Sequence, residues 1–463
     1  MARAYHRCGS SNSRGYGLNK RGKLRKLQCE QLEARRVLAA AISEVYWDSA
    51  DEAAYDLNSA DSVVHATEFD LFTLDDSNLD TLLADVPNEF DSDRDELPTI
   101  SLPRPNGSVE EFIFAQTDVM SPELAAKFPT FETFVGQGID DPSASVRFDV
   151  TARGLNAIVT SSNGGYIIEP YFSAGDGDTN LYASYFLQGD FDLSEFQPES
   201  PALDWEDHSG FSGPEGEFNT SGDRQIGDEI TVYRAAFAST GEYTQRFGGS
   251  VASGLARIVT EVNRVNAVLE TEMAVRFQLV ANNDLIIYTD PNSDPYDNAN
   301  NGAVINQNRT NLANVIGNAN FDIGHAMGTA GGGLAYLGVV GIDSHKAGAV
   351  SANVNHLSTT VHEIGHQFGS GHTFNGTGGA CTGNWGGRHA AEPGSGTTIL
   401  SYNGACGNNN IAGGRQLNYH AESWEVMRNH MENRIPNVGT RVNSGNNMPT
   451  IDAGRDYTIP ART

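Results

Sequence analysis

Three histidines and a glutamate within one short stretch carry the strongest chemistry in this 463-residue chain. His362, Glu363 and His366 form H-E-x-x-H, and Gly369 and His372 extend it to H-E-x-x-H-x-x-G-x-x-H. On an α-helix, residues four apart share a face, so His362 and His366 can reach one metal ion and Glu363 a water bound to it. His372 has to approach from another direction, so the helix must stop. Gly369 is placed to stop it, because glycine takes left-handed backbone angles without penalty. Three neutral imidazoles and an open fourth position describe a catalytic Zn2+ site, whereas structural zinc sites are usually closed by four protein ligands. The bland alternative is a helix of ordinary polar histidines. A bare H-E-x-x-H leaves that alternative standing, but the added glycine and third histidine make chance agreement far rarer.

The stretch resembles the metzincin metalloproteases, and its flanks resemble their reprolysin-like bacterial branch. That branch tends to read H-T-F-N-G after the third ligand, as His372-Thr373-Phe374-Asn375-Gly376 does. Glu392-Pro393-Gly394-Ser395-Gly396-Thr397-Thr398-Ile399 resembles the run into the family's Met-turn. The segments Tyr233–Ala238, Gly241–Tyr243, Asn263–Asn266 and Asp322–His325 are similar too. The resemblance implies an α/β (α+β) metzincin-like catalytic domain, with a mixed, mostly parallel sheet and an active-site helix, preceded by a small β-rich prodomain. It further implies a secreted zinc metalloendopeptidase acting on protein or peptide substrates. Zn2+ would be held by His362, His366 and His372, with Glu363 as general base. Tyr402 would lie near the metal, stabilising the transition state or simply packing. Residues 331–338 would form an exposed edge strand that pairs with extended substrate. The chain departs from the family at Leu400, where the Met-turn methionine should stand; the two side chains are close in volume, and such swaps usually cost under about 1.5 kcal/mol.

The rest of the chain has to position these groups. Its net charge of −29 is unevenly spread. Residues 1–41 carry ten Lys and Arg against Glu30 and Glu33, leaving a strongly acidic remainder that argues against nucleic-acid binding. This basic segment has no apolar run long enough for a standard signal peptide. Residues 31–39 resemble the "LEPR" export motif of large bacterial surface proteins, with alanine in place of its proline; the alternative is a basic tail. Export would make the protein secreted or cell-surface associated. No stretch is apolar enough for a transmembrane helix. Residues 42–97, with 17 Asp and Glu against Arg94, read as an acidic disordered spacer.

Short alternating segments over 98–215, such as Val146–Val150 and Tyr166–Glu169, suggest a β-rich, propeptide-like domain. No cysteine between 30 and 380 is available to silence a metal, so an inhibitory prodomain would need a carboxylate, a histidine such as that of Asp207-His208, or plain blockage. A folding or spacer role is the alternative. The zinc protease domain is expected over 228–436. It opens with a strand near 229–235 and a helix over 250–270, followed by strands at 275–279 and 285–288, and it closes with a helix over 419–433. Asp290, Asp294 and Asp297 could hold Ca2+, but turns favour the same residues. Cys381 and Cys406 either form a disulfide stabilising by roughly 3 kcal/mol or remain free thiols. His325, His345, His356, His389, His420 and His430 lack ligand spacing. The tail over 446–463 resembles the first strand of an immunoglobulin-like sandwich; one strand cannot bury a core, so either the protein ends early or the chain continues. A non-catalytic surface or adhesion protein that keeps the zinc fold is the rival reading, and zinc hydrolysis of a non-peptide substrate is a third.

Overall fold

The computed structural model describes residues 47–55, 57, 62–90, 97–172, 180–187, 203 and 227–446. The basic N-terminal segment, the Asp207-His208 pair and the tail strand lie outside the described residues. Residues 47–186 build a nine-stranded sheet from β1 (Trp47–Ser49), β2 (Asp70–Leu74), β3 (Thr99–Pro103), β4 (Val109–Gln116), β5 (Glu132–Gly138), β6 (Ser145–Thr151), β7 (Gly154–Thr160), β8 (Tyr166–Pro170) and β9 (Leu181–Phe186). Its order is β1-β2-β9-β8-β7-β6-β5-β4-β3, with antiparallel neighbours throughout. The region expected to be a solvated spacer therefore contributes two strands and helix α1 (Asp76–Leu83). Its apolar residues are sparse, but Leu71, Phe72, Leu74, Leu79 and Leu83 are all buried. A strand added to an existing sheet edge gains its backbone hydrogen bonds at once and needs few apolar anchors. A short helix, α2 (Pro122–Ala125), follows β4.

The second sheet, six-stranded, holds β10 (Glu229–Ser239), β11 (Val275–Leu279), β12 (Ile323–Met327), β13 (Gly333–Ala335), β14 (Ala349–Ser351) and β15 (Thr440–Asn443). The pairs β10–β11, β10–β12 and β12–β14 are parallel, whereas β13 and β15 pair antiparallel, which gives a mixed, mostly parallel sheet. From Ala235 onward strand β10 is buried on both faces, and its side chains alternate between two cores. Tyr233, Ala235 and Phe237 face the core that includes helices α4 (Val251–Met273) and α6 (Leu357–Gln367). Ala236 and Ala238 face the core of helix α5 (Asn301–Val315). Helix α3 (Gly241–Gln245) follows β10, and α7 (Ala421–Asn429) precedes β15. Residues 283–286 form a 3₁₀ turn where a strand was expected. Asn283 explains this: its side chain accepts from Phe237 N and donates to Phe237 O, both at 2.9 Å, doing for β10 what a neighbouring strand would.

Helix α4 lies between the two sheets. A capping box of Ser250 and Ser253 starts it, and Ala274, at φ 52°, ends it. Leu255, Ile258, Val259, Val262 and Leu269 enter the core. Its polar residues meet partners on the N-terminal sheet instead: Arg264 pairs with Glu169 at 2.7 Å, Glu270 with Arg147 at 2.5 Å, and Thr260 donates to Asp149 at 2.7 Å. Burial lifts the Asp149 carboxyl from its ordinary 3.8 to about 6. The folded state thus holds this proton more tightly than the unfolded chain, so the resulting stability is present below pH ~4 and is lost as pH rises through about 6. Asp149→Asn, which stays neutral, should therefore gain on the wild type as pH rises from about 4 to about 7, by roughly 2 kcal/mol across that range. Thermal melts over the same range check this, and a constant difference between the two proteins contradicts it.

Candidate active site

Residues 357–372 fold as a helix that stops on cue. Helix α6 runs Leu357–Gln367, so His362, Glu363 and His366 lie in its second half. Gly369 takes φ 103° and donates to His366 O, while Ser370 N reaches back to Gly365 O. The chain then turns, and His372 comes round to the two helical imidazoles. His366 Nε2 lies 3.0 Å from His362 Nε2, which lies 3.2 Å from His372 Nε2.

Each ring is oriented from its other nitrogen. His362 Nδ1 is 2.8 Å from Ile399 O, His366 Nδ1 2.7 Å from Ser370 O, and His372 Nδ1 2.8 Å from Asn384 O. A carbonyl only accepts, so every Nδ1 carries the proton and every Nε2 presents a lone pair. Burial holds all three imidazoles below their ordinary pKa, with His366 near 4, so they are neutral at neutral pH. Three lone pairs within 4.8 Å of one another suit a tetrahedral ion with metal–nitrogen distances of about 2.0–2.1 Å. The donor set fits Zn2+. Among the described residues these histidines are the one group of three or more His, Cys, Asp or Glu close enough to hold a metal, which leaves a coordination position open.

Glu363 is fully buried beside the ligands, its carboxylate against the backbone of β13. A Cβ at Gly333 would collide with Glu363 Oε1 and sit 2.8 Å from Cδ. Strand β13 pairs with β14 on one side. On its other side Leu203 N donates to Ala335 O at 2.8 Å, and Leu337 N donates to Leu203 O at 3.0 Å, in parallel sense. The edge expected to take substrate thus holds a piece of the chain's own N-terminal half.

The turn at 399–402 lies under the ligands. Ile399 O orients His362, and buried Leu400 packs against the helix where its two ligands flank Gly365. A Cβ on Gly365 would lie 3.2 Å from the Leu400 methyl groups, so leucine fills this floor without displacing the helix. Tyr402 is fully buried, its ring centroid 4.7 Å from those of His372 and Phe374, as a packing wall for the third ligand. The Cys381–Cys406 disulfide closes this region, joining the segment before Asn384 to that after Tyr402.

The remaining candidates stay apart from the centre. His325 is buried between Gln367 and Ser351, which ties β12 to the end of α6. His430 contacts Val340 O, His389 contacts Glu422, and His420 caps α7. Asp290 accepts from Asn292 and Ser293, and Asp294 accepts from Gly241 N and Tyr296 N; both serve as turn residues. Spacing alone gives no warning of Gly333, of Asn384, or of Tyr419, whose hydroxyl donates to Val361 O. Their roles depend on backbone atoms that meet across the fold.

Residues 230–423 match the family model for the metallopeptidase family M12B, reprolysin-like. This part of the chain is a reprolysin-like metallopeptidase domain of the metzincin type. No curated protein sequence matches the chain. Among solved structures, metalloproteinase-II from Bacteroides fragilis is similar with a TM-score of 0.43 and 11% identity, over 76% of this chain and 95% of that one. A chaperone–substrate complex aligns with a TM-score of 0.29 and 16% identity, over 45% of this chain and 36% of that one. Neither likeness adds to the family match.

The metallopeptidase geometry makes Gly333 a sensitive position. Gly333→Ala should displace the Glu363 carboxylate, the flexible partner in the collision, rather than unfold the sheet. Peptidase activity is expected to fall by about a hundredfold, the scale of an ångström's misplacement, with the melting temperature nearly unchanged. Wild-type activity in this variant contradicts the placement.

Proposed function

We propose that the chain is an exported, zinc-dependent endopeptidase whose N-terminal half holds it latent. The observation that carries the reading is the convergence of three Nε2 lone pairs beside a buried glutamate. Bound zinc would lower the pKa of a water in the open position and polarise the scissile carbonyl. His362, His366 and His372 would hold that ion with neutral rings fixed by their carbonyl partners. Glu363 takes the water proton at its carboxylate and returns it to the leaving amine. Burying a carboxylate is costly, and a scaffold that merely kept the fold would have no use for one here, so Glu363 favours catalysis over the adhesion reading. Strand β13 offers Ala335 O and Leu337 N to an extended peptide, the same groups that Leu203 now occupies. That contact supports latency by blockage and needs no cysteine. The Cys381–Cys406 disulfide supports an oxidising destination, and the acidic surface supports a soluble exported body.

Cleavage of a mixed quenched-peptide library by the full chain tests this. Glu363→Ala should lower the rate by roughly 10²–10⁴-fold while zinc content is kept, and a chelator should abolish cleavage. Full activity in Glu363→Ala rules the mechanism out. In the same assay Leu203→Pro, which removes the N–H bonded to Ala335 O, should raise the rate several-fold; an unchanged rate argues against latency at this edge.

A further inference from the structure

Glu392 lies outside the ligand set, yet it bridges the segment that orients His362 and the segment that carries His372. It is buried, at 6% exposure. Its Oε2 accepts from the Thr373 and Thr398 hydroxyls, and its Oε1 accepts from Thr397 N at 2.9 Å and Thr398 N at 3.2 Å. Its backbone joins the segment after His372: Glu392 N donates to Thr373 O at 2.8 Å, and Asn375 N donates to Glu392 O at 3.0 Å. Thr373 follows the third ligand directly. Thr398 precedes Ile399, whose carbonyl orients His362 at 2.8 Å. One carboxylate therefore sets the separation between the segment that delivers His372 and the turn that aims His362. Four donors converge on it, and three of them come from the Thr397–Thr398 pair. A neutral amide of the same shape would turn an NH₂ donor towards hydroxyls that now donate.

We infer that Glu392 is a positioning residue for the metal, a clasp that fixes the carbonyl partner of His362 and the approach of His372 and thereby sets metal affinity. The inference rests on the zinc reading above. Groups that orient metal ligands from behind typically change affinity by 10–100-fold when removed. Glu392 acts one bond further out on both ligands at once.

The test uses the full chain as wild type, Glu392→Gln and Thr373→Val. Zinc affinity is measured by competition with a chromophoric chelator, coordination by the visible spectrum of the Co2+ form, and folding by circular dichroism and thermal unfolding of the metal-free protein. Glu392→Gln is expected to fold, to bind zinc 10–100-fold more weakly and to show an altered Co2+ spectrum. A folded Glu392→Gln protein with wild-type zinc affinity and Co2+ spectrum overturns the clasp, even if its metal-free stability has dropped. Should Glu392→Gln fail to fold, Thr373→Val, which keeps the carboxylate and its three other donors, decides by the same criterion with an expected loss of about tenfold. A folded wild type that binds no zinc removes the zinc reading itself, and the clasp with it.

Discussion

The site depends on three hydrogen bonds from imidazole Nδ1–H to backbone carbonyls. An unconstrained histidine can carry its proton on either nitrogen and turn about two torsions. Here the carbonyls of Ile399, Ser370 and Asn384 fix both choices, so that three lone pairs meet within 4.8 Å of one another. Burial then keeps the rings neutral. Each carbonyl belongs to a different segment: the turn under the site, the end of α6, and the loop that the disulfide closes. Whatever holds those segments holds the metal centre. The buried Leu400 side chain, the Tyr402 wall and the Glu392 carboxylate are best understood as parts of that one task.

The two sheets meet across α4, and their contact combines an apolar core with buried polar pairs. The helix presents Thr260, Asn263, Arg264 and Glu270 to carboxylates and an arginine of the N-terminal half. Buried pairs of this kind contribute little net stability, yet removing one partner strands the other. The contact therefore specifies how the halves fit. Leu203 lies on the outer side of β13, over the edge that borders Glu363. In the function proposed above, latency and catalysis share that piece of backbone.

The convergence of His362, His366 and His372 was legible in the sequence because helix geometry converts spacing into proximity: four residues make one face, and a glycine makes the exit. Strand β10, helix α4 and strand β11 were legible for the same reason, their apolar periodicity matching one period over their whole length. The acidic stretch before residue 97 misled, since its few apolar residues act only where another strand supplies the edge. Residues 285–288 misled because the Asn283 side chain takes the backbone groups of Phe237, which leaves only Ile287 and Tyr288 to pair, with Ser239. Gly333 and Glu392 carry no local signature: their significance arises from atoms distant along the chain or from threonines on two sides of a loop.

X-ray absorption at the zinc edge on the full chain, loaded with one equivalent of zinc, tests the central claim most directly. Three imidazole nitrogens and one light oxygen donor at about 2.0–2.1 Å are predicted, and the signal should lose one nitrogen in His372→Ala. A shell containing sulfur, or four protein nitrogens with no open position, would contradict the account, as would a spectrum unchanged by that substitution.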